Sequence, residues 1–318
     1  MADSCKYKRR LAWLLLFVAL ALLPLGVNNY VQFVINTMLV YCLAALGFNI
    51  VIGYLGQLAF ANAAFFGIGA YAAGLAMARL DLAFPLALAV SAIAGGLAGG
   101  LVGMPALRVR GYYLAIVTLA FGELMRWFYV HADGITYGAG GFSPPPPTWF
   151  GAPLNETGKY YVFLAVLALG VAATQHLLKS RIGRAFVAIR NNEPAAASLG
   201  IAVARSKVVA FAWSGLIVGL AGGLYALLNG RISPDTFGLA QMLMHFAIVM
   251  IGGLGSLLGS ILGAVLLTGA PELLRNFPGL EEIVFSLLLM VVLFFMPRGL
   301  GGLIADRIPA VRERLYRE

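Results

Sequence analysis

Apolar residues run along this chain in long unbroken blocks rather than in the short repeat of a half-buried surface helix. Blocks near 11–27, 30–52, 58–79, 82–105, 112–130, 160–178 and 208–228 each approach the roughly 20 residues that a helix needs to cross a bilayer. The carboxyl-terminal third is less regular. There, 241–270 is one apolar run broken at Gly252, Gly253 and Gly255, and 282–296 is another. The pattern predicts an all-α, polytopic transmembrane bundle spanning residues 1–318 as one domain.

What lies between the blocks is basic. Of 22 Lys and Arg, 17 fall in four segments, 1–10, 106–111, 179–207 and 298–318. Cations of this kind are retained on the cytoplasmic side of a membrane. With residues 1–10 inside, alternate crossings put 106–111 and 179–207 inside and 131–159 outside. A tail carrying Arg307, Arg312, Arg314 and Arg317 also belongs inside. That parity requires ten crossings, with both termini cytoplasmic. It is met when 241–270 forms two short, tilted spans joined at the Gly-Gly-Leu-Gly-Ser turn. The order KYKRR followed by Leu11–Leu23 has the form of a secretory signal. Because no small-x-small cleavage site stands before Asn28 and more spans follow, it is read as a retained first span.

Composition agrees with a membrane protein: 61% of residues are hydrophobic and 11% charged, against about 25% charged in soluble domains. The net charge of +9 reports topology and no nucleic-acid partner, since the cations sit between apolar runs and not on a soluble basic face. Cys5 and Cys42 support neither a disulfide framework nor a metal site. His131, His176 and His245 have no partner spacing, and there is no phosphate-binding Gly-x4-Gly-Lys loop, so neither catalysis nor ATP binding is expected of this chain. Polar residues inside the spans are the remaining place for function. Asn62, Thr118, Glu123 and His245 are the candidates for a translocation path, with Asn36, Asn49 and Gln241 beside them; interhelical hydrogen bonding is the alternative reading for each. Glu123 and Arg126, three apart, share a helix face and can neutralise one another.

Two loops stand out. In 179–207, Gly183–Asn191 reads as a short helix, Asn192 and Glu193 as a cap, Pro194 as an early helical position and Gly200 as the residue closing a second short helix. In 131–159, Pro144–Pro147 flanked by Trp149 and Phe150 makes either a stiff connector with an interfacial anchor or a docking surface. Glycines at Gly67 and Gly69, Gly95 to Gly100, Gly215 to Gly222 and Gly255 to Gly263 are spaced for close helix contact. Ile52–Leu58 and Ile251–Leu257 are weakly alike, and both fall at expected cytoplasmic ends.

The blocks GYLGQLAFANAAFFGIGAYAAG (53–74), LRVRGYYLAIVTLAFGELMR (107–126), SRIGRAFVAIRNNEPAAASLGI (180–201), KVVAFAWSGLIVGLAGGLYA (207–226) and MPRGLGGL (296–303) resemble, in order, the LivM-type permease of branched-chain amino-acid ABC transporters. The resemblance implies a non-catalytic subunit of an importer for leucine, isoleucine and valine in a bacterial inner membrane. Its implied partners are a second, LivH-type permease, two ATPase subunits that bind the ATP and Mg, and a periplasmic substrate-binding protein that carries most of the selectivity. Similar permeases serve urea, amides and other amino acids, and a stand-alone secondary transporter is the reading from another class. The loop at 179–207 would couple to an ATPase, with Arg184, Arg190, Glu193, Ala195, Ala196 and Gly200 as its candidate residues. Glu193, Ala195, Ala196 and Gly200 match the E-A-A-x3-G pattern of such loops, with Pro194 intervening.

Overall fold

A computed structural model describes residues 26–109, 111–149 and 152–274, together with Pro24, Met290 and Leu300. Nearly all of the expected span at 11–27, that at 282–296, the tail from Arg298, Cys5, Phe150 and the side chain of Trp149 lie outside the described residues. Helix α1 (Asn29–Asn49) runs on into a π-helical turn at Ile50–Tyr54. It is followed by α2 (Asn62–Leu80), α3 (Phe84–Gly103), α4 (Tyr112–His131) and the single turn α5 (Asp133–Thr136). A two-residue ladder pairs β1 (Thr148–Trp149) with β2 (Ala152–Pro153). Then come α6 (Glu156–Lys179), α7 (Arg181–Asn191), α8 (Glu193–Ser198), α9 (Val203–Asn229), α10 (Leu239–Gly252) and α11 (Leu257–Leu274). Six of these are long and apolar enough to cross a membrane, and α10 and α11 are shorter apolar helices.

The core is built around α9, which packs on α1, α2 and α3 through backbone rather than through large side chains. A Cβ on Gly219 would lie 2.6 Å from Ser91 O and 2.9 Å from Gly95 Cα of α3, and one on Gly69 of α2 would collide with Gly219 O. Gly222 meets the Phe66 carbonyl of α2 in the same way, and a Cβ on Gly47 of α1 would lie 2.7 Å from a Val218 methyl. Contacts this close let many weak dispersion terms add where lipid supplies no hydrophobic drive between helices.

The two ends of the bundle separate by charge as expected. At one end the start of α9 meets the end of α3, where a Cβ on Gly103 would lie 3.0 Å from Val208 Cα, so Arg108 and the 179–207 loop share that end. This is the basic end. At the opposite end the 131–159 loop is tied down: Phe142 and Ile232 exchange backbone hydrogen bonds of 3.0 and 2.9 Å, and Arg79 Nη2 donates to Gly134 O and Ile135 O. Pro144–Pro147 run without regular structure into the small ladder.

α10 and α11 form an antiparallel hairpin, with Gly252 against Gly259 and Gly263 against the Ile248 carbonyl. At 14 residues, α10 is about 21 Å long, short of the roughly 30 Å hydrocarbon core. The remaining depth is taken by the incoming strand of chain. Ile232, Pro234 and Phe237 are buried, and the Phe237 ring packs on Phe66, Tyr71 and Tyr129 inside the bundle. The expected run at 58–79 also begins late, at Asn62. Gly56 turns into the left-handed region at φ +72, and Phe60 N donates to Thr118 Oγ1 at 2.7 Å instead of to a helical carbonyl.

Candidate coupling and translocation sites

The 179–207 loop folds as two short helices because each start is capped by its own sequence. Ser180 Oγ accepts from Ile182 N at 3.1 Å to open α7, and Asn192 Oδ1 accepts from Ala195 N at 3.0 Å to open α8. Each cap satisfies a donor that a helix start leaves free. Gly200, at φ +83, closes α8, and Ile201 N reaches back to Ala196 O at 3.1 Å. Asn192 is thus the cap, with Glu193 the first residue of the helix and Pro194 next to it. α7 begins two residues earlier than Gly183, at Arg181, and buries Gly183, Phe186 and Ile189.

The candidate coupling residues divide by where their side chains go. Arg184, Ala195 and Gly200 are exposed. Ala196 is buried, and Glu193 bonds Lys207 at 3.0 Å, with the Lys207 side chain 1% exposed at the start of α9. This ion pair fixes α8 to α9. Glu193 and Lys207 also border an open cavity of about 440 Å³ with Leu107, Pro194, Ala197, Val203 and Ala204. Arg190 Nη1 donates to Gly53 O at 2.6 Å, from the loop to the π-helical turn that follows α1.

Of the path candidates, Asn62 and His245 come together. Asn62 Nδ2 lies 2.7 Å from His245 Nδ1, Gln241 Nε2 lies 3.0 Å from His245 Nε2, and Gln241 reaches Tyr41 OH at 3.1 Å. A neutral imidazole has one donor and one acceptor nitrogen and an amide nitrogen only donates, so one of the two amides must turn its oxygen to the ring N–H. The ring also sits edge-on to Phe66 and Tyr41. Thr118 is separate and fully buried; it holds the unwound Phe60 N while donating to Leu114 O at 2.8 Å. Asn49 bridges to the α10–α11 turn, and both side-chain polar atoms of buried Asn36 lack a partner.

Glu123 stands apart from all of these, on the outward face of α4. It is 3.7 Å from Arg126, the neutralising pair expected from their spacing, and Arg126 also bonds Asp235 at 3.0 Å. Sequence reasoning missed Asp235 because 109 residues separate it from Arg126. Tyr41 is equally silent in an apolar run, and Lys207 carries in the sequence only the signal of a topogenic charge. Cys42 is buried and packs with its thiol 3.6 Å from Ile261 O. Among the described residues, no group of three or more His, Cys, Asp or Glu could hold a metal ion.

A helical bundle with membrane-length apolar spans and a structured basic loop at one end defines the class as a polytopic membrane protein. The chain belongs to the family described as branched-chain amino acid transport system / permease component, which matches residues 30–297. It is 33% identical to the high-affinity branched-chain amino acid transport system permease protein LivM of Escherichia coli strain K12, over 94% of this chain and 76% of that protein. It is 28% identical to LivH of the same organism, over 82% of this chain and 91% of that one. The autoinducer 2 import system permease protein LsrC of Enterobacter sp. strain 638 is 30% identical over 64% of this chain and 59% of its own length. No solved structure matches the chain.

Proposed function

We propose that this chain is a non-catalytic permease subunit of an ATP-driven importer for leucine, isoleucine and valine in a bacterial inner membrane. Its partners are a LivH-type permease, two ATPase subunits that hold ATP and Mg, and a periplasmic binding protein. The basic end faces the cytoplasm and 131–159 faces outward. The observation that carries the reading is the 179–207 loop. Two capped helices are fixed to α6 and α9 on either side, so a push on α7 and α8 moves two spans as a rigid body. The Asn62–His245 bond joins α2 to α10 and Thr118 separately joins α4 to the chain before α2, so these hydrogen bonds change if those helices move; Glu123 is assigned to the path from α4. LivM and LivH among the relatives support a permease pair and a branched-chain cargo, while LsrC marks a different cargo for a related permease.

The test is copurification of the tagged chain from its native membrane, followed by reconstitution with what it recovers. Recovery of two ATPases and a second permease, with ATP-dependent leucine uptake, is expected. Uptake by the chain alone, driven by an ion gradient, would overturn the reading. Gly200→Val sharpens it. The left-handed φ at Gly200 disfavours a β-branched residue, so insertion and assembly should persist while leucine import per ATP falls at least tenfold. Normal import by that variant removes the coupling role from α8.

A further inference from the structure

Arg190 lies where three segments of chain meet. Its Nη1 donates to Gly53 O at 2.6 Å, a carbonyl in the π-helical turn that continues α1, of the kind that a helix terminus leaves unpaired. A Cβ on Gly56 would stand 2.7 Å from Arg190 Cγ, and one on Gly255 would stand 2.8 Å from Arg190 Nη1. Gly56 and Gly255 have φ of +72 and +78, so both turns present bare backbone to the arginine. These are the two similar stretches, Ile52–Leu58 and Ile251–Leu257, from opposite ends of the chain. Asn49 completes the junction. Its Oδ1 accepts from Gly255 N at 2.9 Å, and its Nδ2 donates to Ser256 O at 3.0 Å and Ser260 Oγ at 2.7 Å.

The hairpin tip is therefore held from α1 by Asn49 and touched from the loop by Arg190. The arm leading from that tip, α10, carries His245 and Gln241, whose bonds reach Asn62 at the start of α2 and Tyr41 of α1. A displacement of α7 thus has a direct mechanical route to the buried polar cluster. It needs no contact between Arg190 and any other subunit.

We infer that Arg190 is a positioning residue that transmits movement of the 179–207 loop into the α10–α11 hairpin, through Gly53 O and the Gly255 turn. This rests on the reading of the loop as the coupling element. Arg184, by contrast, bonds Lys179 O within its own loop and has no comparable route inward.

The test uses the assembled complex in proteoliposomes, with leucine as the probe, and reads ATP hydrolysis and leucine import together. Arg190→Lys keeps the charge and the stem on Gly56 but loses the planar fork that reaches Gly53 O beside Gly255. Import per ATP hydrolysed should fall about threefold to tenfold, with assembly and the leucine concentration for half-maximal import unchanged. Arg190→Ala should lower the ratio further with the ATPases still bound. An unchanged ratio in both variants overturns the inference, as does loss of the ATPases from Arg190→Lys, which would make Arg190 an intersubunit contact. Should Arg190→Ala not assemble, Arg190→Lys decides alone. Wild-type import that proceeds without ATP would instead remove the coupling reading itself.

Discussion

α9 and α4 are both apolar, uninterrupted and long enough to cross a bilayer, yet they do opposite things. Of the most apolar window of α9, 61% is buried inside this chain, against 17% for α4. α9 reaches its neighbours through glycine, carbonyl to Cα, and its exposed polar side chains, Arg205 and Asn229, stand at its two ends and not along the span. α4 shows Glu123, Arg126 and eight large hydrophobic side chains outward, including Ile116, Leu124 and Trp127. Half-exposed charge on a span is costly against lipid. The difference teaches that membrane-length hydrophobicity identifies a span but says nothing of what the span faces; the small residues and the stray charges do.

The largest effect expected on this comparison comes from its tightest contact. Gly69→Val drives a β-carbon into the Gly219 carbonyl and must push α2 away from α9. Overpacking in a filled core costs about 1–3 kcal/mol, and here both sides are backbone, so the upper end applies. Loss of a monodisperse peak in detergent, or a melting point lowered by many degrees, checks it; a Gly69→Val chain as stable as the parent would remove α9 as the scaffold. Lys207→Met tests the polar end of the same helix. Truncating one partner of a buried pair costs about 3 kcal/mol at the lower end, and Lys207 is 1% exposed against Glu193. The variant should melt lower, with limited proteolysis cutting first in α8; joint replacement Glu193→Gln with Lys207→Met should recover part of the loss. No recovery would mean that each residue acts through other neighbours.

Much of this was legible in the sequence. The glycine spacing along Gly215, Gly219 and Gly222 announced close packing, and the cap at Asn192 lies next to the helix it opens; the start of α7 at the Ser180 cap was read two residues late. Local chemistry of that kind survives tertiary context. Charge parity required the Gly253–Ser256 turn to lie at the basic end, and Arg190 against Gly255 has it there. What stayed hidden is long-range. Asn49 with Ser256 and Arg126 with Asp235 each join positions more than 100 residues apart, and no spacing rule connects them. Nor could the sequence say which of Asn62, Thr118 and His245 touch, because any buried polar residue in a span carries the same local signal. The shortfall of α10 was visible as a short run; that Ile232–Phe237 would fold inward to fill its depth was not.

The smallest effect on stability, and the sharpest on the comparison, comes from α4 itself. The Glu123–Arg126 pair is exposed at both ends, and such pairs contribute less than about 1 kcal/mol, so Glu123→Cys should leave the melting point almost unchanged. Its accessibility is the informative quantity. α6 is similarly unburied, with Leu169 70% exposed, but from Tyr160 to Leu178 it carries no Lys, Arg, Asp or Glu. A helix with that face is suited to lipid, whereas the face of α4 is suited to a wet path beside a second permease. In a Cys5→Ser, Cys42→Ser background, a membrane-impermeant thiol reagent should therefore label Glu123→Cys in the assembled complex and spare Leu169→Cys. Leucine and ATP should change the first rate and not the second. Equal protection of both would return α4 to the lipid and its charges to a structural role; equal labelling of both would mean that burial, not polarity, separates the faces of this bundle.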